Sequence, residues 1–147
     1  MNIQKFTQKS LEAIQNAQTI AVQNQNSQVE QEHILLALLE QENSLIKELL
    51  KRIGTSENFQ EEITRKIEKM PKMTGGARQA GSIYVAQDVE QVLANSEKIA
   101  QNMKDEYVSV EHIMLAIIEN PNKEIKETLK THNITKIQTR CNRHFMK

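Results

Sequence analysis

The chain has 147 residues, with 19 Lys+Arg against 19 Asp+Glu, four glycines, two prolines, 3% aromatic residues and no tryptophan. That length holds one compact domain or two very small ones, and so few aromatic and turn residues suit long helices and exclude a turn-rich β-sandwich or barrel. Zero net charge removes the basic excess that phosphate binding needs, so no nucleic-acid partner is expected, and a single cysteine without a C-x-x-C pair makes neither an internal disulfide nor a structural zinc site.

In chain order, residues 1–10 are polar and lack the apolar core of a signal peptide, so a cytoplasmic setting is expected. A first helix is predicted over residues 7–24, with Thr7 as N-cap, Phe6 as a staple before it, and a stripe of Leu11, Ile14, Ala17 and Ala21. A second, over residues 30–40, is apolar nearly all round through Ile34-Leu35-Leu36-Ala37-Leu38-Leu39, the pattern of a helix enclosed by others. That run is far too short to span a membrane. A third helix puts Leu45, Ile46, Leu49, Leu50 and Ile53 on one face and stops at Gly54, a suitable C′ residue. A fourth carries Phe59, Ile63, Ile67 and Met70. Residues 71–82 then hold three of the four glycines and one proline, which is the composition of a linker.

After the linker the four helices recur. Residues 86–103 carry Val89, Val92, Leu93, Ile99, Ala100 and Met103 at helical spacing. Residues 109–119 repeat the enclosed helix. A third helix has Ile125 and Leu129, with Asn133 in place of the glycine, and a fourth is marked by Ile134, Ile137, Cys141 and Phe145. Shifting the chain by 79 positions aligns residues 6–51 with 85–130 without a gap, and 17 of the 46 pairs are identical. Chance would give about three. The densest match sets Glu32-His33-Ile34-Leu35-Leu36-Ala37-Leu38-Leu39-Glu40 against Glu111-His112-Ile113-Met114-Leu115-Ala116-Ile117-Ile118-Glu119. The expected fold is all-α: two pseudo-symmetric four-helix repeats, residues 1–70 and 85–147 joined by a linker at 71–84, packed into one eight-helix domain with a groove at their seam.

Catalytic chemistry is not evident. Glycines at 54, 75, 76 and 81 form neither a P-loop nor G-x-G-x-x-G, and His33, His112, His132 and His144 show no H-x₃-H or H-E-x-x-H spacing, so no metal is expected. Cys141 and His144, with Arg140 and Arg143 beside them, have the spacing of an activated thiol, but Cys141 fits better as a small hydrophobe between Ile137 and Phe145. The acidic residues are spread along polar helix faces. Glu32-His33 and Glu111-His112 stand apart because they recur. Each glutamate falls in a first helical turn, where it complements the dipole, and each histidine abuts an apolar run, as a core histidine with satisfied ring nitrogens does. The same two acids, flanking the seam, are compatible with receiving a cationic group. Leu11 and Val89 face Glu90 and Ser10 in the opposite copy, so neither is demanded by a shared core and both are candidates for a partner surface.

The doubled pattern of Phe6-Thr7, Glu32-His33-Ile34-Leu35-Leu36-Ala37-Leu38 and Lys104-Asp105-Glu106-Tyr107-Val108-Ser109-Val110-Glu111-His112, with Met70-Pro71-Lys72 leading through a glycine-rich link to Ile83-Tyr84-Val85, resembles the Clp N-terminal repeat domain of AAA+ unfoldases. Within that family it is most similar to the ClpB-type disaggregases, over about residues 1–135. The resemblance implies a domain tethered in front of two ATPase modules of a homohexameric ring, itself monomeric when isolated, without catalytic residues or a cofactor of its own. ATP and magnesium belong to the downstream modules. It implies capture of exposed apolar stretches of unfolded or aggregated polypeptide, in cooperation with an Hsp70-type chaperone through the full-length protein, and no membrane partner. The motif positions of the family's polar trio fall on Thr7, Asp105 and Glu111, and its apolar groove positions on Leu11, Ile14, Ile83, Tyr84, Val85, Val89 and Leu93. An alternative within the family is an adaptor-binding N-domain of a ClpC- or ClpA-type protease unfoldase. Pockets of ClpC relatives that recognise phosphorylated arginine use a Thr-Glu-His pattern, and here Gln31 and Val110 replace both threonines. After Thr135 the chain departs from the family's usual basic, glycine-containing segment.

Overall fold

The computed structural model describes residues 3–52, 58–73, 84–132 and 134. A 3-10 turn at Ile3–Lys5 leads into α1 (Gln8–Gln23), then β1 (Gln28–Val29), α2 (Gln31–Glu40), α3 (Leu45–Arg52) and α4 (Asn58–Glu68). The second repeat follows as β2 (Tyr84–Val85), α5 (Gln87–Asn102), α6 (Val110–Glu119) and α7 (Lys123–Thr131). The fold is all-α, with seven α-helices among the described residues. The expected eighth helix, with Ile137, Cys141, His144 and Phe145, lies outside them, as do Ile53, Gly54, the linker glycines, Ile83 and Asn133.

The central helices are enclosed as their composition requires. Residues 31–39 of α2 and all but the last residue, Ile118, of the apolar run 113–118 of α6 are buried, and each fully buried Leu or Ile contributes roughly 1.5–3 kcal/mol. Helix α1 faces α2 with Ser10, Ala13, Ala17 and Ala21, small residues that allow close approach, while α5 faces α6 with Val89, Val92, Leu93, Ser96, Ile99 and Ala100. Packing then crosses between repeats: α3 lies on α6, α4 on α7 and α2 on α6, and one continuous core runs through both halves. Phe59 meets the His132 ring edge-on at 5.3 Å, and Lys66 Nζ reaches Glu124 at 3.2 Å.

Two short backbone ladders tie the repeats in a way that helical periodicity does not reveal. The entry to α1 pairs in parallel with the entry to α6, Phe6 opposite Val108. The entry to α5 pairs with the entry to α2 through Gln28 opposite Tyr84 and Val29 opposite Val85. Each repeat therefore supplies the strand that braces the other's central helix. The hydrogen bonds run from Thr7 N–H to the Val108 carbonyl (3.0 Å), from Val108 N–H to Lys5 (2.7 Å) and from Ala86 N–H to Val29 (2.9 Å).

The first helix of each repeat closes in a Schellman motif with a non-glycine residue in the left-handed region. Gln25 (φ 57°) follows α1 and Lys104 (φ 61°) follows α5, and the next N–H in each case, Asn26 or Asp105, returns to Ala21 or Ala100 at 2.9 Å. This turn delivers the Asn26 and Asp105 side chains to the central helices.

Candidate functional site

The site is best built from the α6 entry, where three sequence candidates converge. Thr7 caps α1 as expected, its Oγ1 accepting from Ser10 N–H at 3.2 Å. Its hydroxyl donates to Ser10 Oγ at 2.9 Å, and the fully buried Ser10 donates to the Val108 carbonyl at 3.0 Å. That carbonyl thus receives both the Thr7 N–H and the Ser10 hydroxyl. Four residues later the buried His112 accepts the Ser109 N–H on Nδ1 at 2.9 Å, which places its proton on Nε2, and Nε2 donates to Asp105 Oδ2 at 2.8 Å. Glu111, half-buried, stands in the first turn of α6 beside this histidine. Thr7, Asp105 and Glu111 are gathered on one structural feature, the segment from Asp105 to the first turn of α6.

Repeat one reproduces the arrangement in neutral form. His33, wholly buried, accepts the Glu30 N–H on Nδ1 at 2.8 Å and donates from Nε2 to Asn26 Oδ1 at 2.8 Å. Burial lowers its pKa to about 4. Both recurring histidines are satisfied core residues that cap the N–H opening their helix, a role ordinarily taken by Glu or Gln at this position. Glu32 is more buried than a dipole-complementing acid needs to be. Its Oε1 accepts from Asn122 Nδ2 at 2.6 Å, and burial pushes its carboxyl above the ordinary value, opposed by the Asn122 hydrogen bond and reinforced by Glu30 and Asp88. Gln31 completes this inter-repeat tie, donating to the Asn120 carbonyl at 3.0 Å and accepting the Asn122 N–H at 2.8 Å.

The apolar candidates divide. Leu11, Ile14 and Val85 lie partly buried against the core, and Tyr84 is 81% exposed in β2. Val89 and Leu93, by contrast, are 1% and 5% exposed and belong to the core. Comparison of the repeats misassigned Val89, because its partner position Ser10 is also a core position: the serine lies fully buried with its hydroxyl satisfied by Val108, and the valine fills the same slot in α5. Leu11 keeps its outward place opposite the exposed Glu90. Two residues escaped notice as candidates, Tyr107, 52% exposed, and Ile3, 58% exposed. Tyr107 is the repeat counterpart of Gln28, so each ladder carries one outward tyrosine, Tyr84 at one and Tyr107 at the other. A concavity of about 770 Å³ lies elsewhere, over α2, α3 and α4, lined by Leu39, Leu50, Phe59 and basic Lys47, Lys51 and Arg65 among others. Among the described residues no cluster of His, Cys, Asp and Glu could hold a metal, and no helix is long and apolar enough to cross a membrane.

Comparison with known proteins agrees with this fold. Residues 5–132 match the profile of the Clp repeat (R) N-terminal domain. The chaperone protein ClpB of Nitratidesulfovibrio vulgaris is 41% identical over 122 residues, 82% of this chain but 14% of that protein, so the chain spans a small part of the relative's length. The crystal structure of the Hsp104 N-terminal domain from Candida albicans superposes with a TM-score of 0.80 at 29% identity, covering 94% of this chain and 88% of that one. The ClpV N-domain in complex with a VipB peptide shares the fold at 18% identity and a TM-score of 0.71, covering 97% of this chain and 86% of that one.

Proposed function

This chain belongs to the Clp repeat N-terminal domain family, and from that premise we propose that it is the substrate-engaging N-terminal domain of an ATP-dependent protein disaggregase, binding exposed hydrophobic segments of unfolded or aggregated proteins at the seam of its repeats. The observation that carries this reading is the pair of inter-repeat ladders, each leaving one tyrosine outside the core, with half-buried Leu11, Ile14 and Val85 on the helix and strand adjoining them. Exposed aromatic side chains with a polar tip suit contact with unfolded chain, since they offer apolar area at small conformational cost. The ties already made within the domain leave those apolar groups as the adhesive part, and affinity is accordingly weak and tolerant of sequence. Relatives named as ClpB chaperones support the parent assignment. The domain performs no chemistry and needs no cofactor. ATP, magnesium, hexamer formation and cooperation with an Hsp70-type chaperone belong to the full-length protein, placed in the cytoplasm.

Recognition of phosphorylated arginine, the mark of the protease-linked alternative, is disfavoured by the same geometry. Gln31 stands where that pattern has threonine and is 1% exposed, and Glu32 is engaged by Asn122. The test is fluorescence anisotropy with fluorescein-labelled, reduced and carboxymethylated lactalbumin. Replacing Tyr84 and Tyr107 together by serine is expected to weaken binding about tenfold while the helical circular dichroism stays unchanged. Unchanged affinity would remove the seam as the binding surface.

A further inference from the structure

The two repeats solve one structural problem with different chemistry. In each, the Schellman turn after the first helix brings a short polar side chain onto Nε2 of the central histidine, whose Nδ1 holds the N–H that opens the central helix. Repeat one uses a neutral amide, Asn26, and repeat two a carboxylate, Asp105, at the matching position and the same 2.8 Å. The segment controlled in repeat two is the one that carries Tyr107 outward and sets Val108 opposite Phe6.

We infer that Asp105 is a positioning residue, which shapes the seam through His112 by supplying an acceptor oxygen and not by presenting a negative charge to the bound polypeptide. Asn26 does the same work one repeat earlier without a charge, so the ring requires an acceptor and nothing more. Deprived of that acceptor, the buried Nε2–H would be left unsatisfied, the ring would turn toward water, and the Ser109 N–H would lose its partner on Nδ1. The path of residues 106–109 would then loosen although the helices remain. Thr7 and Ser10 grip the same segment from the other side, through the Val108 carbonyl. This rests on the reading that the seam receives polypeptide.

The test compares the full 147-residue chain with Asp105→Asn and Asp105→Ala, recording ¹⁵N spectra of the His112 ring and affinity for the labelled lactalbumin. Asp105→Asn is expected to keep the Nε2–H tautomer and to bind within roughly twofold of the parent, since the asparagine reproduces the pair of repeat one. Asp105→Ala is expected to change the ring spectrum, shift the amides of residues 106–109 and weaken binding about tenfold. Asp105→Asn binding as poorly as Asp105→Ala, with the ring tautomer intact, would overturn the inference and make the carboxylate a direct contact. So would Asp105→Ala binding like the parent. Should Asp105→Ala fail to fold, the asparagine variant still decides between charge and acceptor. A parent chain that binds no unfolded polypeptide would sink the proposed function instead, while the ring spectra would still report whether Asp105 holds His112.

Discussion

Asn122→Ala separates the contributions that fasten one repeat to the other. Asn122 Oδ1 accepts from Ile125 N–H at 2.9 Å and caps α7, while its Nδ2 donates to the buried Glu32 carboxylate at 2.6 Å across 90 positions of sequence. Loss of the cap costs about 1 kcal/mol. Removal of a hydrogen bond to a buried charged group costs about 1.5–3 kcal/mol more, because the carboxylate is left with a burial penalty and one fewer partner. The sum is about 2.5–4 kcal/mol, which for a chain of this size lowers Tm by roughly 5–15 °C. Thermal and urea unfolding followed by circular dichroism at pH 7 measure it. Asn122→Ser supplies the control: serine caps a helix well but is too short to serve Glu32, so it should recover about 1 kcal/mol of the loss. An alanine variant melting within about 2 °C of the parent, or a serine variant no more stable than alanine, would refute the reasoning.

The remaining predictions concern the same buried acid and one backbone turn. Because burial raises the Glu32 pKa above the ordinary 4.5, the stability linked to its proton is fully present below 4.5 and lost as pH rises through the folded value. Glu32→Gln, which keeps an acceptor for Asn122, should therefore be more stable than the parent at pH 7, with the advantage shrinking as pH falls toward 4.5. Urea titrations at the two pH values check this, and a gap independent of pH would contradict it. Lys104 holds a left-handed φ of 61°, a conformation costing a non-glycine residue about 1–2 kcal/mol, partly offset in glycine by greater freedom of the unfolded chain. Lys104→Gly should stabilise by about 0.5–1 kcal/mol in urea unfolding, whereas Lys104→Ala should give no gain.

Helix positions were legible because burial leaves a periodic trace: Leu45, Ile46, Leu49 and Leu50 appear on one face of α3, and α2 and α6 appear as enclosed runs. The histidines were legible for the same reason. What escaped was whatever depends on pairing between distant segments. A ladder of two residues, Gln28–Val29 with Tyr84–Val85, has no period to detect. The Gln31, Glu32 and Asn122 tie is fixed by where α6 ends relative to α2, not by local composition. The turns at Gln25 and Lys104 carry no glycine to announce a positive φ. Leu11 is partly buried against the core, whereas Val89 lies within it, and the repeat comparison could not tell them apart because a buried serine with a satisfied hydroxyl looks in sequence like a surface residue.

The proposed function makes the seam, with its two ladders and their tyrosines, the surface that meets unfolded polypeptide. A ¹H–¹⁵N titration of the isotope-labelled chain with unlabelled, reduced and carboxymethylated lactalbumin tests it most directly. Concentration-dependent shifts are expected at Leu11, Ile14, Tyr84, Val85 and Tyr107, with the enclosed residues of α2 unmoved. Shifts confined to the concavity over α3 and α4, around Lys47, Lys51 and Arg65, would contradict it.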